Sequence, residues 1–183
     1  MCTIRIFLTG PPRIGKTTAI RLIARDLERR GRRVGGMISS EIRDAGWRVG
    51  FQLEDISTHK VGILADSQEK SHDARPTVGK YHVNLLDIET IGAAAIRNAV
   101  NTADVVIIDE IGPMELKSKK FVAVVEFALD SEKSLIGTIH RMYAHPLISS
   151  IKSNSSCRLI EVSMHNRDNI PSEVVEAIIG QVP

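Results

Sequence analysis

The stretch that decides the fold is Gly10-Pro11-Pro12-Arg13-Ile14-Gly15-Lys16-Thr17-Thr18, which follows an apolar run and matches the spacing G-x-x-x-x-G-K-[ST] in full. Glycines in such a loop let backbone N–H groups close around phosphate oxygens, and the helix that follows adds the positive end of its dipole. Lys16 supplies an ammonium group, and Thr17 offers a hydroxyl to Mg²⁺. The stretch therefore predicts a site for a nucleoside triphosphate with magnesium, built on a strand, a loop and a helix.

Apolar strands alternate with amphipathic helices along the rest of the chain. The first predicted helix has apolar residues three and four positions apart from Ile20 to Leu27, and Gly31 ends it. The other predicted strands are 3–9, 105–108, 134–139 and 158–162, and the later helices are 118–130, one from about 144, and 171–180. This order is typical of an α/β fold in which helices cover both faces of a mostly parallel sheet. We expect the 183 residues to form one domain, 1–183.

A small antiparallel addition is predicted next to the loop. Val34–Glu41 is predicted to be a strand, Trp47–Leu53 alternates as a further strand after the turn at 44–46, and another short strand is expected near Val61–Leu64. The polar segment 66–80 is predicted to be a loop that either orders over bound substrate or is mobile. Asp87 is expected to cap a helix whose buried stripe is Ile88, Ile91, Ala95 and Ala99.

Composition excludes several classes of partner. The chain has 24 Lys+Arg and 22 Asp+Glu, so its net charge of +2 does not favour a nucleic-acid or membrane surface, and an aromatic content of 4% offers no base-stacking platform. Cys2 and Cys157 lie far apart and form no zinc or redox motif, and no apolar run is long enough for a membrane span. We expect a soluble, cytoplasmic monomer, and the sequence identifies no protein partner.

A second informative stretch is the apolar run Val105-Val106-Ile107-Ile108, which ends in Asp109-Glu110. A buried strand of an open α/β sheet presents such carboxylates at its C-terminal edge, where ligands bind. Asp109 is therefore predicted to hold Mg²⁺ together with Thr17, and Glu110 to polarise an attacking water. A structural carboxylate is the other interpretation of Glu110, and Glu115 is a second candidate for the base.

The strand predicted at 134–139 ends at His140-Arg141, where side chains can reach a γ-phosphate. Arg141 is predicted to stabilise charge in the transition state, with a solvated loop residue as the alternative. The predicted catalytic residues are thus Lys16, Glu110 and Arg141. The histidines show no metal-ligand spacing.

Four segments together carry a family resemblance: Gly10–Thr18, the run Asp109-Glu110-Ile111-Gly112-Pro113-Met114-Glu115-Leu116, His145-Pro146, and Asn166-Arg167-Asp168. They resemble the small nucleoside-triphosphatases first described in thermophiles, which are related to the cancer-related nucleoside-triphosphatase of animals. The segment Gly35–Phe51 with its hairpin adds to the likeness, which covers nearly the whole chain.

The resemblance implies a P-loop NTPase with a RecA-like sheet that slowly hydrolyses several nucleoside triphosphates, ATP and GTP among them, to the diphosphate and phosphate. It implies nucleotide contacts from the phosphate loop and from the strand end: Gly10, Pro11, Pro12, Arg13, Ile14, Gly15, Lys16, Thr17 and Thr18, and Val105, Val106, Ile107, Ile108, Asp109, Glu110, Ile111 and Gly112. One departure is Arg13, where relatives commonly have glycine. The resemblance assigns no role to Asn166 or Arg167.

Three functions are compatible with the sequence. The favoured one is Mg²⁺-dependent hydrolysis with water as the acceptor. A nucleotide or small-molecule kinase would share Lys16, Thr17 and Asp109 but needs an acceptor pocket and usually an arginine-rich lid, which the segment 66–80 supports poorly. A slow switch that times a partner interaction is the third.

Overall fold

The computed structural model describes residues 3–68 and 74–180, and within them the strands form one sheet with helices on both faces. The strands are β1 Arg5–Thr9, β2 Val34–Asp44, β3 Trp47–Asp55, β4 Val61–Asp66, β5 Thr77–Val78, β6 Tyr81–Val83, β7 Val105–Ile111, β8 Ser134–Ile139 and β9 Cys157–Glu161. The helices are α1 Lys16–Arg29, α2 Leu85–Asp87, which continues through a π-helical stretch Ile88–Ala93 into α3 Ala94–Thr102, then α4 Lys119–Asp130, α5 Pro146–Ser153 and α6 Ile170–Ile179. A single 3-10 turn, Glu115–Lys117, precedes α4 among these residues.

The sheet has a parallel half and an antiparallel half, which share strand β2. Its order is β5-β6-β4-β3-β2-β7-β8-β1-β9, and all pairings from β2 to β9 are parallel. Strand β8 lies between β1 and β7, so the two strands that carry the predicted site end at the same edge of the sheet without being neighbours. The predicted α/β fold with a mostly parallel sheet is confirmed.

Alternating side chains of the parallel strands build two cores. On one face, Ile6 and Leu8 of β1 pack with the apolar stripe of α1 and with α6. On the opposite face, Phe7 packs with α3, α4 and α5. Because successive residues of a strand point to opposite faces, a strand buried on both faces reads as a continuous apolar run. The predicted stripe of α1 is buried, and Gly31, at a φ of 77°, ends the helix as expected.

The antiparallel half is larger than predicted. The hairpin β2–β3 and strand β4 form as expected, but β5 and β6 extend the sheet beyond β4. The loop predicted for 66–80 is therefore wrong at Thr77–Val78, and the part of it at 69–73 lies outside the described residues. Strands of two and three residues are too short to produce an alternation that sequence analysis can recognise.

The helix cap predicted at Asp87 is also wrong. The cap is Asn84, whose Oδ1 accepts a hydrogen bond from the backbone N–H of Asp87 at 3.2 Å, so the helix begins three residues earlier. Asp87 instead accepts a hydrogen bond from the N–H of Ile63 at 2.7 Å, which ties the helix to β4. The buried stripe predicted for this helix is confirmed: Ile88, Ile91, Ala95 and Ala99 are all buried. No helix within 3–68 and 74–180 combines the length and the apolar character that crossing a bilayer requires.

Gly36 sits where the parallel and antiparallel halves join. It has a φ of 115°, and a Cβ built on it would overlap the carbonyl oxygen of Ile107 on β7. A side chain here is opposed both by the backbone conformation and by a neighbouring strand that cannot move without breaking the ladder. Gly46, in the hairpin turn, shares the positive φ of 84° but has no atom within 4 Å of the built Cβ.

The substitution Gly36→Ala should therefore destabilise the protein by roughly 3 kcal/mol or more, because strain and overlap add. The matched control Gly46→Ala should cost only ~1 kcal/mol, since it carries the conformational strain alone. Urea unfolding of both variants measures the difference. Equal losses would show that the Ile107 carbonyl does not constrain position 36.

Candidate active site

The phosphate loop connects β1 to α1 at the C-terminal edge of the sheet. Gly10 and Gly15 have φ values of 145° and 114°, which other residues rarely adopt. The Nζ of Lys16, the first residue of α1, donates to the carbonyl oxygens of Gly10 at 3.2 Å and Pro11 at 3.4 Å. The lysine thus folds back over its own loop, where a phosphate group would replace two weak carbonyl contacts with a charge-assisted bond.

The connection from β9 to α6 packs against the start of the phosphate loop. The N–H of Val162 donates to the carbonyl of Thr9 at 2.8 Å, and a Cβ built on Gly10 would lie 2.8 Å from the carbonyl oxygen of Val162. Glycine at position 10 is therefore required by close approach of two backbones as well as by its φ.

Asp109 lies near the C-terminal end of β7 and is 1% exposed. Its Oδ1 accepts a hydrogen bond from the hydroxyl of Thr138 on β8 at 2.6 Å, and its Oδ2 has no hydrogen-bond partner among the described residues. Burial raises the pKa of Asp109 to about 6, although the hydroxyls of Thr138 and Thr17 and the charge of Lys16 act in the opposite direction. Because desolvation penalises a charge, this carboxylate is stabilised by a nearby cation.

These residues fit a magnesium ion. Mg²⁺ prefers hard oxygen ligands, and protein sites usually supply one or two of them and leave the rest to phosphates and water. The structure places the Thr17 hydroxyl close enough to Asp109 to lower the pKa of its carboxyl, and the Oδ2 atom is available for a further interaction. Within the described residues no cluster of three or more His, Cys, Asp or Glu side chains offers another metal site.

Two further carboxyl groups lie beyond Asp109. Glu110 is largely buried, and its Oε1 has no hydrogen-bond partner among the described residues. Glu115, in the 3-10 turn, is 4% exposed. Both approach Gly112: a Cβ built there would lie 3.1 Å from Oε2 of Glu115 and 3.5 Å from Cγ of Glu110.

Burial separates the roles of these two acids. Burial and the neighbouring charges of Glu110 and Asp109 together raise the pKa of Glu115 to about 8. Burial also raises the pKa of Glu110, but the ammonium of Lys16 opposes that rise. At neutral pH the protonated form is therefore favoured at Glu115, whereas at Glu110 the nearby cation favours the ionised form. This supports Glu110 over Glu115 as the base.

Two cavities meet at Lys16 and Glu110. The polar cavity, of about 310 Å³, lies over the start of α1 and is lined by residues 12, 13, 15–18, 39–41, 48, 51 and 110. The apolar cavity, of about 490 Å³, is lined by residues 10–12, 16, 39, 51, 64, 78, 110, 112–115 and 140–142. Lys16 and Glu110 line both, so a group bound in either cavity can reach them.

Comparison with known proteins agrees with this geometry. A family model described as NTPase matches residues 5–175. The chain belongs to this NTPase family. Curated relatives named nucleoside-triphosphatase THEP1 include those of Methanosarcina acetivorans, 41% identical over 98% of this chain and 99% of the relative, and of Thermofilum pendens, 42% identical over 100% and 99%. The enzyme class predicted from the sequence is thereby confirmed at the level of the family.

Solved structures of NTPase relatives have the same fold. THEP1 from Aquifex aeolicus superimposes with a TM-score of 0.82 at 32% identity, covering 96% of this chain and 99% of the other. The solution structure of a human cancer-related nucleoside triphosphatase gives a TM-score of 0.84 at 29% identity, covering 99% and 100%. The family resemblance stated from the motifs is confirmed.

Arg13 has a φ of 64°. Glycine adopts this left-handed conformation without cost, which agrees with the glycine that the resemblance implies for relatives at this position. The Arg13 side chain is 70% exposed, and its Nε lies 4.0 Å from Glu41 of β2. An exposed side chain does not block the loop, so the phosphate-binding backbone keeps its form.

The predicted site residues divide into those that line the cavities and those that support them. Side chains of Val105, Val106, Ile107 and Ile108 are buried in the two cores and do not line either cavity. From the β7 segment, the cavities are lined by Glu110 and Gly112. The nucleotide contacts expected of this segment remain predictions.

His140 and Arg141 lie at the end of β8 and line the apolar cavity. The Nδ1 of His140 accepts hydrogen bonds from the N–H groups of Met142 at 3.3 Å and Tyr143 at 3.0 Å, and burial with the charge of Lys16 lowers its pKa. The imidazole is therefore neutral, with its proton on Nε2. Arg141 forms an ion pair with Glu161 at 3.0 Å, so its role as a charge stabiliser would require that pair to open.

Asn166 has a structural role. Oδ1 of Asn166 accepts hydrogen bonds from the N–H and the hydroxyl of Ser163, and Nδ2 donates to the carbonyl of Glu161, so Asn166 shapes the β9–α6 connection. The Cδ of Arg167 lies 3.9 Å from a Cβ built on Gly15, which puts this side chain against the phosphate loop.

Sequence reasoning missed three features of the site. Thr138 is a buried hydroxyl within a strand that otherwise shows only an apolar pattern, and Arg48 and Ser39 face the loop from the antiparallel half. Arg48 donates to Glu41 at 2.8 Å and to the Tyr81 hydroxyl at 2.9 Å. None of them has a local motif, because each is brought to the loop by strand pairing between distant segments.

The buried acid Glu115 predicts an unusual pH dependence of stability. Its folded pKa of about 8 exceeds its ordinary value of 4.5, so the folded state binds an extra proton between these values. The free energy of unfolding should therefore fall as pH rises through this window, by at most about 1.4 kcal/mol per pH unit from this group. The isosteric variant Glu115→Gln lacks this contribution.

Urea unfolding in EDTA across this range compares the two proteins. Wild type should lose roughly 2 kcal/mol relative to Glu115→Gln over the two pH units below the folded pKa. Curves for the two proteins that stay parallel would rule out a raised pKa at Glu115.

Proposed function

We propose that this chain catalyses Mg²⁺-dependent hydrolysis of nucleoside triphosphates to the diphosphate and phosphate, slowly and with broad base specificity. The supporting observation is the position of Glu110: its largely buried carboxylate, whose Oε1 has no hydrogen-bond partner among the described residues, shares both cavities with Lys16, next to the phosphate loop. Phosphoryl transfer needs little covalent chemistry from the protein, so positioning and charge neutralisation are the functions these residues supply.

Substrate binding is assigned to the loop and the start of α1. Backbone N–H groups of residues 13–17 and the positive end of the helix dipole surround the phosphates, and Lys16 exchanges its two carbonyl contacts for phosphate oxygens. Mg²⁺, held by Thr17 and Asp109, would neutralise charge on the terminal phosphates when bound. The hydrogen bond from Thr138 fixes the orientation of the Asp109 carboxylate for this role.

The proton of the attacking water is assigned to Glu110. The partial burial that raises the pKa of Glu110 also makes its carboxylate a stronger base than one in water. Water bound in the apolar cavity donates a hydrogen bond to the unpartnered Oε1, its oxygen attacks the γ-phosphorus, and the bond to the bridging oxygen breaks. Arg141 is proposed to stabilise the developing charge after releasing Glu161.

We propose further that the protein is a cytoplasmic monomer. A net charge of +2 supports a cytoplasmic protein without membrane or nucleic-acid partners, and the site is complete within one chain, which supports a monomer.

Release of phosphate without an added acceptor tests the function directly. ATP, GTP, CTP and UTP should each be hydrolysed with Mg²⁺, and EDTA should abolish the reaction. The variant Lys16→Ala should lose at least ~10²-fold in turnover, because the ammonium stabilises the transferred phosphoryl group. Lys120→Ala, an exposed position on α4, is the control and should keep wild-type activity. Undiminished hydrolysis by Lys16→Ala would disprove the assignment of the site.

Two isosteric variants separate the carboxyl groups. Glu110→Gln should retain triphosphate binding but slow single-turnover hydrolysis by ~10²-fold or more, because the amide cannot accept the proton. Glu115→Gln should stay within about 3-fold of wild type, since it replaces an acid that is already neutral by a neutral amide. The reverse pattern would assign the base to Glu115.

A further inference from the structure

The apolar cavity is larger than hydrolysis requires. It encloses about 490 Å³, whereas one water occupies ~30 Å³ of liquid volume. Pockets for small organic ligands lie in the range of about 300–1,000 Å³. A site built only to hold an attacking water would need a small fraction of this space.

The walls of the cavity specify a mostly apolar ligand. On one side the antiparallel half of the sheet contributes Phe51, Leu64 and Val78, from β3, β4 and β5. On the other side Met114 and Met142 follow the ends of β7 and β8. Methionine side chains are flexible and polarisable, so they adapt to ligands of irregular shape.

The end of the cavity nearest the phosphate loop is polar. Lys16 and Glu110 lie there, and the buried Oε1 of Glu110 has no hydrogen-bond partner among the described residues. A buried carboxylate oxygen without a partner costs free energy, and a hydroxyl group is the donor that removes this cost in the space available. Apolar walls together with the acceptor oxygen of Glu110 next to the phosphate loop favour an alcohol as the ligand.

We propose that the apolar cavity binds a small, largely apolar alcohol whose hydroxyl replaces water as the acceptor of the γ-phosphoryl group. This inference rests on the proposed function for the triphosphate site. The hydroxyl oxygen forms a bond to the γ-phosphorus, its proton passes to the carboxylate of Glu110, and the bond from the γ-phosphorus to the bridging oxygen breaks. The products are a phosphate monoester and the nucleoside diphosphate.

The antiparallel half of the sheet supplies one wall of the cavity. Phe51, Leu64 and Val78, from β3, β4 and β5, form this wall. Phe51 is held in place by Tyr81 of β6 at a ring distance of 5.1 Å and by the guanidinium of Arg48, 5.0 Å from its ring centre. A wall with this support is preformed, which reduces the entropy cost of binding a small ligand.

Two alcohols of different shape, 2-phenylethanol and 1-octanol, serve as probes with the full chain and Mg·ATP. Phosphorus NMR and mass spectrometry should detect the monoester of at least one, with phosphate release reduced in proportion. Val78→Trp, which fills the cavity from β5, should reduce ester formation at least ~10-fold while hydrolysis without alcohol stays within about 2-fold of wild type. Val61→Trp, on the same half of the sheet but exposed and outside the cavity, is the matched control.

The outcomes are distinguishable. Hydrolysis of ATP without either ester would overturn this inference and leave the proposed function standing, whereas absence of any turnover in wild type would overturn both. Ester formed equally by wild type and Val78→Trp would place the acceptor elsewhere. Should Val78→Trp fail to fold, amide NMR of wild type gives a second measurement: 2-phenylethanol should shift the signals of Phe51, Val78 and Gly112, and shifts confined to other residues would overturn the cavity as its site.

Discussion

The site depends on one electrostatic constraint: the carboxyl groups of Asp109, Glu110 and Glu115 are largely or fully buried, and the ammonium of Lys16 acts on the first two of them. Low dielectric makes three adjacent negative charges unfavourable, so burial raises the pKa of every one of them. The same constraint sorts their functions. Asp109, with its hydroxyl neighbours, suits a metal; Glu110, where Lys16 opposes the rise in pKa, suits a base; and Glu115, with a pKa of about 8, keeps its proton at neutral pH. Cationic ligands and the buried negative charge therefore stabilise each other.

Strand order is what brings these groups together. Because β8 lies between β1 and β7, it supplies Thr138 at the level where the phosphate loop and the acidic strand end face each other. The shared strand β2 then continues the same sheet into the antiparallel half, so Phe51 and Ser39 reach the loop from the opposite side. One hydrogen-bonded sheet thus carries both the phosphate loop and the wall of the apolar cavity, and its two halves join at Gly36.

Local patterns predicted the parts of this site that have a local cause. The spacing of Gly10, Gly15 and Lys16 defines a loop conformation, and the apolar run before Asp109 defines a buried strand, so both could be identified without coordinates. Strands β5 and β6 were missed because two and three residues carry no periodicity. The cap is Asn84 and not the predicted Asp87, because both residue types are good caps and only the backbone geometry distinguishes them. Arg48 and Thr138 become site residues only through pairing between segments far apart in the chain, which no local pattern records.

Arg13 shows how unevenly the phosphate loop tolerates change. At Gly10 a single methyl group would meet a carbonyl oxygen of a neighbouring segment, so no residue with a side chain fits there. At position 13 the backbone disfavours side chains only by its left-handed φ, and the arginine points outward into water. Position 13 is therefore more permissive than position 10: a long cation there carries only the conformational cost of a left-handed φ. The charge at the mouth of the loop can thus change without a change in the backbone that binds phosphate.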